Sequence, residues 1–432
     1  MRRLLLRVRL FGLTVLVATP SVVVAQVPSA PSPIRPALTL EEALTSALTA
    51  HPLIQAARAR VDAARGSRQT AGTWPNPLAT YSVEDTAFPG QGRITRLETE
   101  RSAYITYPLE SFFQRQPRME RADWAIQEAE GEVVGAHRRV SREVTRAFYR
   151  VALAQVAVTV AQESKAAVDR LVEYLRARVS QGASPEAELI RAEVERDQTA
   201  TEVTLAEVEL VRDRAELQPL LGDAWRSLDS LEVSVPEPST GAPELPALEA
   251  FMQHASARPE LVSARARVAG AQAALAHERK LVVREVGASF GVKRTSGVNS
   301  MIAGVSLSVP LFDTNSGEVG RATAERIAAE QELAWAERAV AAEVSAAYEV
   351  ARRLSAQLVA LRGTFLSRAD ESSRLTLAAY QEGGATLLQA LDASRTLAAA
   401  RLVYSRAHFA QRESLVDLKV AAAYDPRDRG SR

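Results

Sequence analysis

The sequence predicts a mainly α-helical protein of two similar halves, each a long coiled helical hairpin carrying one β-hairpin of membrane-spanning type. Three observations predict it. Steps of seven from Ile126 give Val133, Val140, Ala147, Ala154, Ala161, Val168 and Leu175, and steps of seven from Val144 give Val151, Val158, Lys165, Val172 and Val179. An apolar repeat of 3.5 residues keeps one stripe on a partner only if the helix supercoils, so this stretch packs lengthwise against other helices. A twin lies 200 residues on, Val340, Ala347, Leu354 and Leu361 with Val344, Ala351, Leu358 and Phe365. Glu143-Val144 matches Glu343-Val344 and Ala147-Phe148 matches Ala347-Tyr348, so the chain is an internal duplication. Each half also holds two segments that lose the helical period and alternate apolar with polar or small residues.

The chain opens with a secretory signal over residues 1–25: Arg2, Arg3, Arg7 and Arg9, then Leu10 to Val17, then Val23-Val24-Ala25 as a small-residue cleavage site. Its apolar run is shorter than the ~20 residues of a spanning helix. Removing those arginines takes the formal charge from +1 to −3, which leaves no basic excess for nucleic acid. No later stretch approaches ~18 uninterrupted apolar residues, so any membrane entry is by strands. With 432 residues, 47% apolar and only 5% aromatic, the composition suits long helices rather than an α/β enzyme. The absence of cysteine excludes disulfides, thiol chemistry and an N-terminal lipid anchor.

Residues 26–37 form a Pro/Ser-rich tether. The first repeat, 38–222, starts with a short helix capped by Thr39, with Glu42 at the capping-box position. A second helix follows His51-Pro52 and carries Ala57-Arg58-Ala59-Arg60-Val61, which returns as Ala264-Arg265-Ala266-Arg267-Val268 after Arg258-Pro259. Trp74-Pro75-Asn76-Pro77 stops it. The first hairpin, 78–109, has runs from Leu78 to Phe88 and from Glu98 to Leu109 about a turn at Pro89-Gly90-Gln91-Gly92. A helical hairpin over 113–221 then reverses at Gly182-Ala183-Ser184-Pro185, and its first arm is roughly 100 Å long. Residues 223–246, with four prolines, link the halves. The second repeat, 247–423, has a hairpin at 283–311 turning at Ser296-Gly297-Val298-Asn299, and a helical hairpin at 318–423 reversing at Gly383-Gly384. The tail 424–432 is polar and predicted to be disordered.

Little here carries chemistry. The histidines at 51, 137, 254, 277 and 408 lack metal-ligand spacing, and neither a nucleophile elbow nor a phosphate loop occurs. No catalytic residue, metal or cofactor is expected. Arg58, Arg60, Arg265 and Arg267 read as exposed helix charges rather than substrate contacts. The residues alone leave two functions open, a membrane conduit and a periplasmic coiled-coil adapter or scaffold, because alternating hairpins also pack on helices in soluble proteins.

The element order, with Leu38-Thr39-Leu40-Glu41-Glu42-Ala43-Leu44, His51-Pro52 and Ala71-Gly72-Thr73-Trp74-Pro75-Asn76-Pro77, resembles the TolC-like outer-membrane efflux proteins. Val309-Pro310-Leu311-Phe312-Asp313, Tyr380-Gln381-Glu382-Gly383 and Leu387-Leu388-Gln389-Ala390-Leu391-Asp392-Ala393 support the resemblance, which covers about 38–422. The Trp74-Pro75-Asn76-Pro77 entry looks most like the heavy-metal branch, partners of cobalt-zinc-cadmium type pumps. The resemblance implies a homotrimer sharing a twelve-stranded barrel in the outer membrane of a Gram-negative bacterium, with helices in the periplasm. It also implies a passive tunnel fed by a periplasmic adapter and an inner-membrane pump. The helical reversals then form the periplasmic gate or adapter contact, at Gln181, Gly182, Ser184 and Glu188 and at Tyr380, Gln381, Gly383, Gly384, Gln389 and Asp392. Tyr380 and Asp392 match the family's closed constriction. Gln389 is neutral where members often carry an acid, which argues against a strongly cation-selective ring.

Overall fold

A computed structural model describes residues 37–84, 99–109, 111–222, 231–235, 245–282 and 285–423. The signal 1–25, the tether up to residue 36, the turn Pro89-Gly90-Gln91-Gly92 and the tail 424–432 lie outside them. The first repeat runs α1 (Leu40–Ala50), α2 (Pro52–Gly72), β1 (Leu78–Glu84), β2 (Glu100–Pro108), α3 (Ser111–Ser180) and α4 (Glu186–Leu221). The second runs α5 (Leu248–Ala255), α6 (Pro259–Lys280), β3 (Val286–Thr295), β4 (Val298–Leu307), α7 (Ser316–Ala360), α8 (Leu366–Gln381) and α9 (Leu387–Ala422). The two lists match element for element except that one helix, α3, is answered by two, α7 and α8. Among the described residues no helix is long and apolar enough to cross a membrane.

α1 starts as the sequence predicts. The Glu42 amide donates to Thr39 Oγ1 at 3.3 Å and the Thr39 amide donates to Glu42 Oε2 at 2.9 Å, so two orphan donors of the first turn are satisfied. α3 then runs for 70 residues, and every member of its two heptad rows is buried or half-buried. Val140, Val144, Ala147 and Val151 pack with Ala43, Ala47, Ile54 and Leu217 in one core, and Val340, Val344 and Ala351 pack with Phe251, Leu261 and Leu418 in its counterpart. The first core also takes in part of the linker. Leu231 and Val233 are buried there, and residue 38 makes a parallel bridge with Val233.

The second seam departs from the sequence reading. Between α7 and α8, Leu361–Phe365 form a single π-helical turn, so the arm is not one continuous α-helix and Phe365 is exposed. A π turn is wider than an α turn and takes up one extra residue, which shifts the phase of everything after it. Phe365 and, at the same step onward, Arg368, Ser372 and Leu375 are exposed, whereas Leu366, Ala369, Ser373 and Thr376, one residue on, are half-buried and Tyr380 is buried.

An ionic cluster ties the repeats together midway along the helices. Arg258, whose side chain is 5% exposed, donates to Glu343 Oε2 at 2.6 Å and to Glu260 at 3.3 Å. Arg142 of α3 donates to the other Glu343 oxygen at 2.6 Å, and Arg138 pairs with Glu260. One turn further, Arg146 donates to Glu413 of α9 at 3.2 Å. Burial opposes the charge on Glu343, but the hydrogen bonds from Arg142 and Arg258 outweigh it and hold the carboxyl below its ordinary range.

The four strands form one antiparallel sheet in the order β1-β2-β3-β4, so the two hairpins pair through β2 and β3. Ser296 and Gly297 both have positive φ, 53° and 84°, and make a two-residue turn of type I′. β4 therefore starts at Val298, inside the stretch expected to be turn. The pleat separates two faces. Ala79, Tyr81 and Val83 continue across Ala103 and Ile105, Phe290 and Val292, and Met301 and Val305, an exposed apolar surface on which Met301 and Val305 are 73% and 78% exposed. The opposite face carries Ser82, Glu84, Glu100, Ser102, Thr106, Ser289 and Lys293, with Ser82 and Ser102 hydrogen-bonded at 2.7 Å and Glu100 paired with Lys293. β1 and β4 have no outer neighbour among the described residues.

Candidate functional site

The two helical reversals close in the same way. The Ala183 amide donates to the Arg178 carbonyl at 2.8 Å and the Gly182 amide to Val179 at 3.0 Å; in the second repeat Gly384 donates to Ala379 at 2.7 Å and Gly383 to Tyr380 at 3.1 Å. Each is a six-to-one closure about a glycine in the left-handed region, with φ of 68° at Gly182 and 84° at Gly383. A side chain there would cost roughly 1–2 kcal/mol in backbone strain. The helices that follow start differently. Pro185 precedes α4, whose first turn holds Glu186 and Glu188 near the positive end of the helix dipole. Thr386 caps α9 in a capping box: its amide donates to Gln389 Oε1 at 2.8 Å and the Gln389 amide donates back to Thr386 Oγ1 at 3.3 Å. Gln389 is thus engaged in starting its own helix.

Side chains join the first reversal to the second. Tyr380, 6% exposed, lies in an apolar cluster with Val168, Val172, Leu175, Leu387 and Leu391. Its hydroxyl donates to Glu188 Oε2 at 3.5 Å, and burial, then the Glu188 charge, push its phenol up to about 12. It therefore stays protonated, a donor. The Tyr174 ring meets the Tyr380 ring nearly edge-on, with centroids 6.4 Å apart, and the Tyr174 hydroxyl donates to the Gln381 carbonyl at 3.4 Å. Arg178 donates to the Tyr174 oxygen at 3.0 Å and to the Ala183 carbonyl at 2.9 Å. A chain of hydrogen bonds thus runs from the Ala183 carbonyl through Arg178 and Tyr174 to Gln381. Behind it, Arg395 of α9 pairs with the buried Glu195 of α4.

Of the residues singled out in the sequence, Glu188 and Tyr380 meet directly. Ser184 is half-buried, while Gln181, Gly182, Gln381, Gly383, Gly384, Gln389 and Asp392 are exposed at the tip. The Asp392 side chain makes no hydrogen bond or ion pair among the described residues. Tyr174 and Arg178 were not expected; their spacing of four on one helix face, just before a predicted stop, is the signal that points to them. Three of the four arginines of the repeated motif pair between helices, Arg60 with Glu132 at 3.6 Å, Arg265 with Glu337 at 3.6 Å and Arg267 with Glu128 at 2.7 Å. Among the described residues no group of three His, Asp or Glu side chains could hold a metal ion.

Comparison with known proteins agrees with this architecture. The chain is 27% identical over 413 residues to the cobalt-zinc-cadmium resistance protein CzcC of Cupriavidus metallidurans, covering 94% of this chain and 95% of that one. The fold is similar to a crystal structure of CusC, with a TM-score of 0.74 at 18% identity over 89% of this chain and 91% of the other. It is similar also to the Campylobacter jejuni CmeC outer membrane channel, with a TM-score of 0.74 at 13% identity over 90% and 88%. A family model described as outer membrane efflux protein matches residues 43–223 and 252–423, which excludes the reading as an adapter. The chain therefore belongs to the outer membrane efflux protein family, an outer-membrane protein whose helical part lies in the periplasm.

Proposed function

We propose that this protein is the passive outer-membrane conduit of a tripartite efflux system. Three copies close one twelve-stranded barrel, and a periplasmic adapter docks the helical tips to an inner-membrane pump. The observation that carries this is the sheet. Among the described residues one chain supplies four strands with an apolar and a polar face and two unpaired edges. In lipid every backbone group must be satisfied, so the edges must be closed by further copies, and about eight strands is already a small barrel. Catalysis has no part in the reading. Full-length protein extracted in mild detergent should have a mass of three chains by light scattering; a monomer retaining native helix and strand content would overturn it.

The name of the relative CzcC points to divalent metal ions as the exported class. On that reading, deleting the gene sensitises the host to cobalt, zinc or cadmium, and a plasmid copy restores growth. A deletion strain as tolerant as its parent to all three metals would remove metals from the proposal and leave the conduit standing.

A further inference from the structure

The apolar face of the sheet ends in two arginines. Arg101 of β2 and Arg294 of β3 are directly opposed partners, flanked by Val83 and Asn299 in the row that closes this face. Both are exposed, and among the described residues neither makes a hydrogen bond or an ion pair. Glu100, the adjacent acid on β2, points to the other face and pairs there with Lys293. Like charges directly opposite one another destabilise an antiparallel pair. Two guanidinium groups held side by side on an otherwise apolar surface thus call for an anion that the described residues do not supply.

The level of the pair in the membrane says which anion. At the helical end of the sheet Trp74, Phe112 and Phe312 are exposed, with the Trp74 and Phe112 rings 5.3 Å apart, an arrangement that suits an interfacial aromatic girdle. From Leu109 to Arg101 the chain climbs roughly 27 Å at ~3.4 Å per residue, or about 20 Å along the membrane normal at a strand tilt of ~40°. Between girdle and arginines the outward surface is Ala103, Ile105, Phe290, Val292, Met301 and Val305. That span is close to the ~25 Å apolar band of an outer-membrane barrel. Arg101 and Arg294 stand where the band meets the outer headgroups. An arginine fork matches phosphate oxygens two at a time, and phosphate between two forks turns a repulsive pair into a bridged one.

We propose that Arg101 and Arg294 form a binding site for the phosphate groups of outer-leaflet lipid headgroups. The site rests on the face of Ile105 and Phe290 being turned to lipid, and not on how many chains close the barrel. The test is thermal unfolding of full-length protein in detergent with three additives: diphosphorylated lipid A, the same lipid dephosphorylated, and inorganic phosphate. Diphosphorylated lipid A should raise the unfolding temperature several degrees more than the dephosphorylated form. That difference should vanish in Arg101→Gln/Arg294→Gln, which keeps the response to the dephosphorylated lipid, and shrink in either single variant, each change being on an exposed side chain. An undiminished difference in the double variant overturns the site. Inorganic phosphate reproducing the full effect makes it a free-anion site and overturns the lipid assignment. Wild-type protein that responds to neither lipid shows that this face does not meet lipid, and the reading beneath the proposal fails with it.

Discussion

Replacing Glu343 with leucine should cost about 3 kcal/mol of stability, since it strips two charge-assisted hydrogen bonds and leaves the buried Arg258 short of a partner. Glu343 accepts from Arg142 and Arg258 at 2.6 Å each, and Arg258 has little water to turn to. Removing Glu413, whose partner Arg146 is half exposed, should cost at most ~1 kcal/mol and serves as the control. The readout is thermal unfolding by circular dichroism in detergent. The pH dependence separates charge from packing. The Glu343 carboxyl titrates below its ordinary 4.5 in the folded state, so its stabilisation is complete above about that pH and is lost as pH falls further. The Glu343→Leu variant should lack this share of the acid sensitivity. Equal midpoints for variant and wild type at neutral pH would mean that the cluster contributes nothing net.

Opening the periplasmic tip is the second large effect. Tyr380→Phe keeps the ring in its cluster and removes the bond to Glu188, and Arg178→Ala cuts the link between the Ala183 carbonyl and Tyr174. Each loss is worth on the order of 1 kcal/mol, and ~2 kcal/mol shifts a closed-to-open equilibrium roughly thirtyfold per chain. Single-channel conductance in a planar bilayer should rise several-fold in the double variant. Asp392, exposed and hydrogen-bonded to no described residue, should add to the effect as Asp392→Ala if it reaches a neighbouring copy. A small, unchanged conductance with the assembly intact would place the gate elsewhere.

How much of this the sequence carries depends on range. The seam from Val140 to Leu175, the reversals at Gly182 and Gly383 and the capping box at Thr39 are local patterns, and all are legible. The hairpin turn at Ser296-Gly297 is legible in place but not in length, because a strand can start on Val298 and Asn299 as easily as a turn can contain them. Tyr174 and Arg178 acquire meaning only when Gln381, some 200 residues away, arrives beside them. The ionic cluster is of the same kind: Arg258, Glu260 and Glu343 look like ordinary helix charges until four helices meet.

The turn at Leu361–Phe365 hides best, since one extra residue has no compositional signature, and its consequence is rotational. A residue gained or lost in a coiled helix turns all that follows by about 100°. The wider turn cancels that rotation, so the buried stripe continues one position on and the two reversal glycines, Gly182 and Gly383, stand 201 residues apart where the seams before the turn stand 200 apart. Where α3 brings Val179 to the last turn of its seam, the second arm brings Tyr380. The two stand in matching places, each three residues before its glycine, so once the wider turn has taken up the extra residue it is residue type, valine against a buried tyrosine, that distinguishes the two arms at their tips.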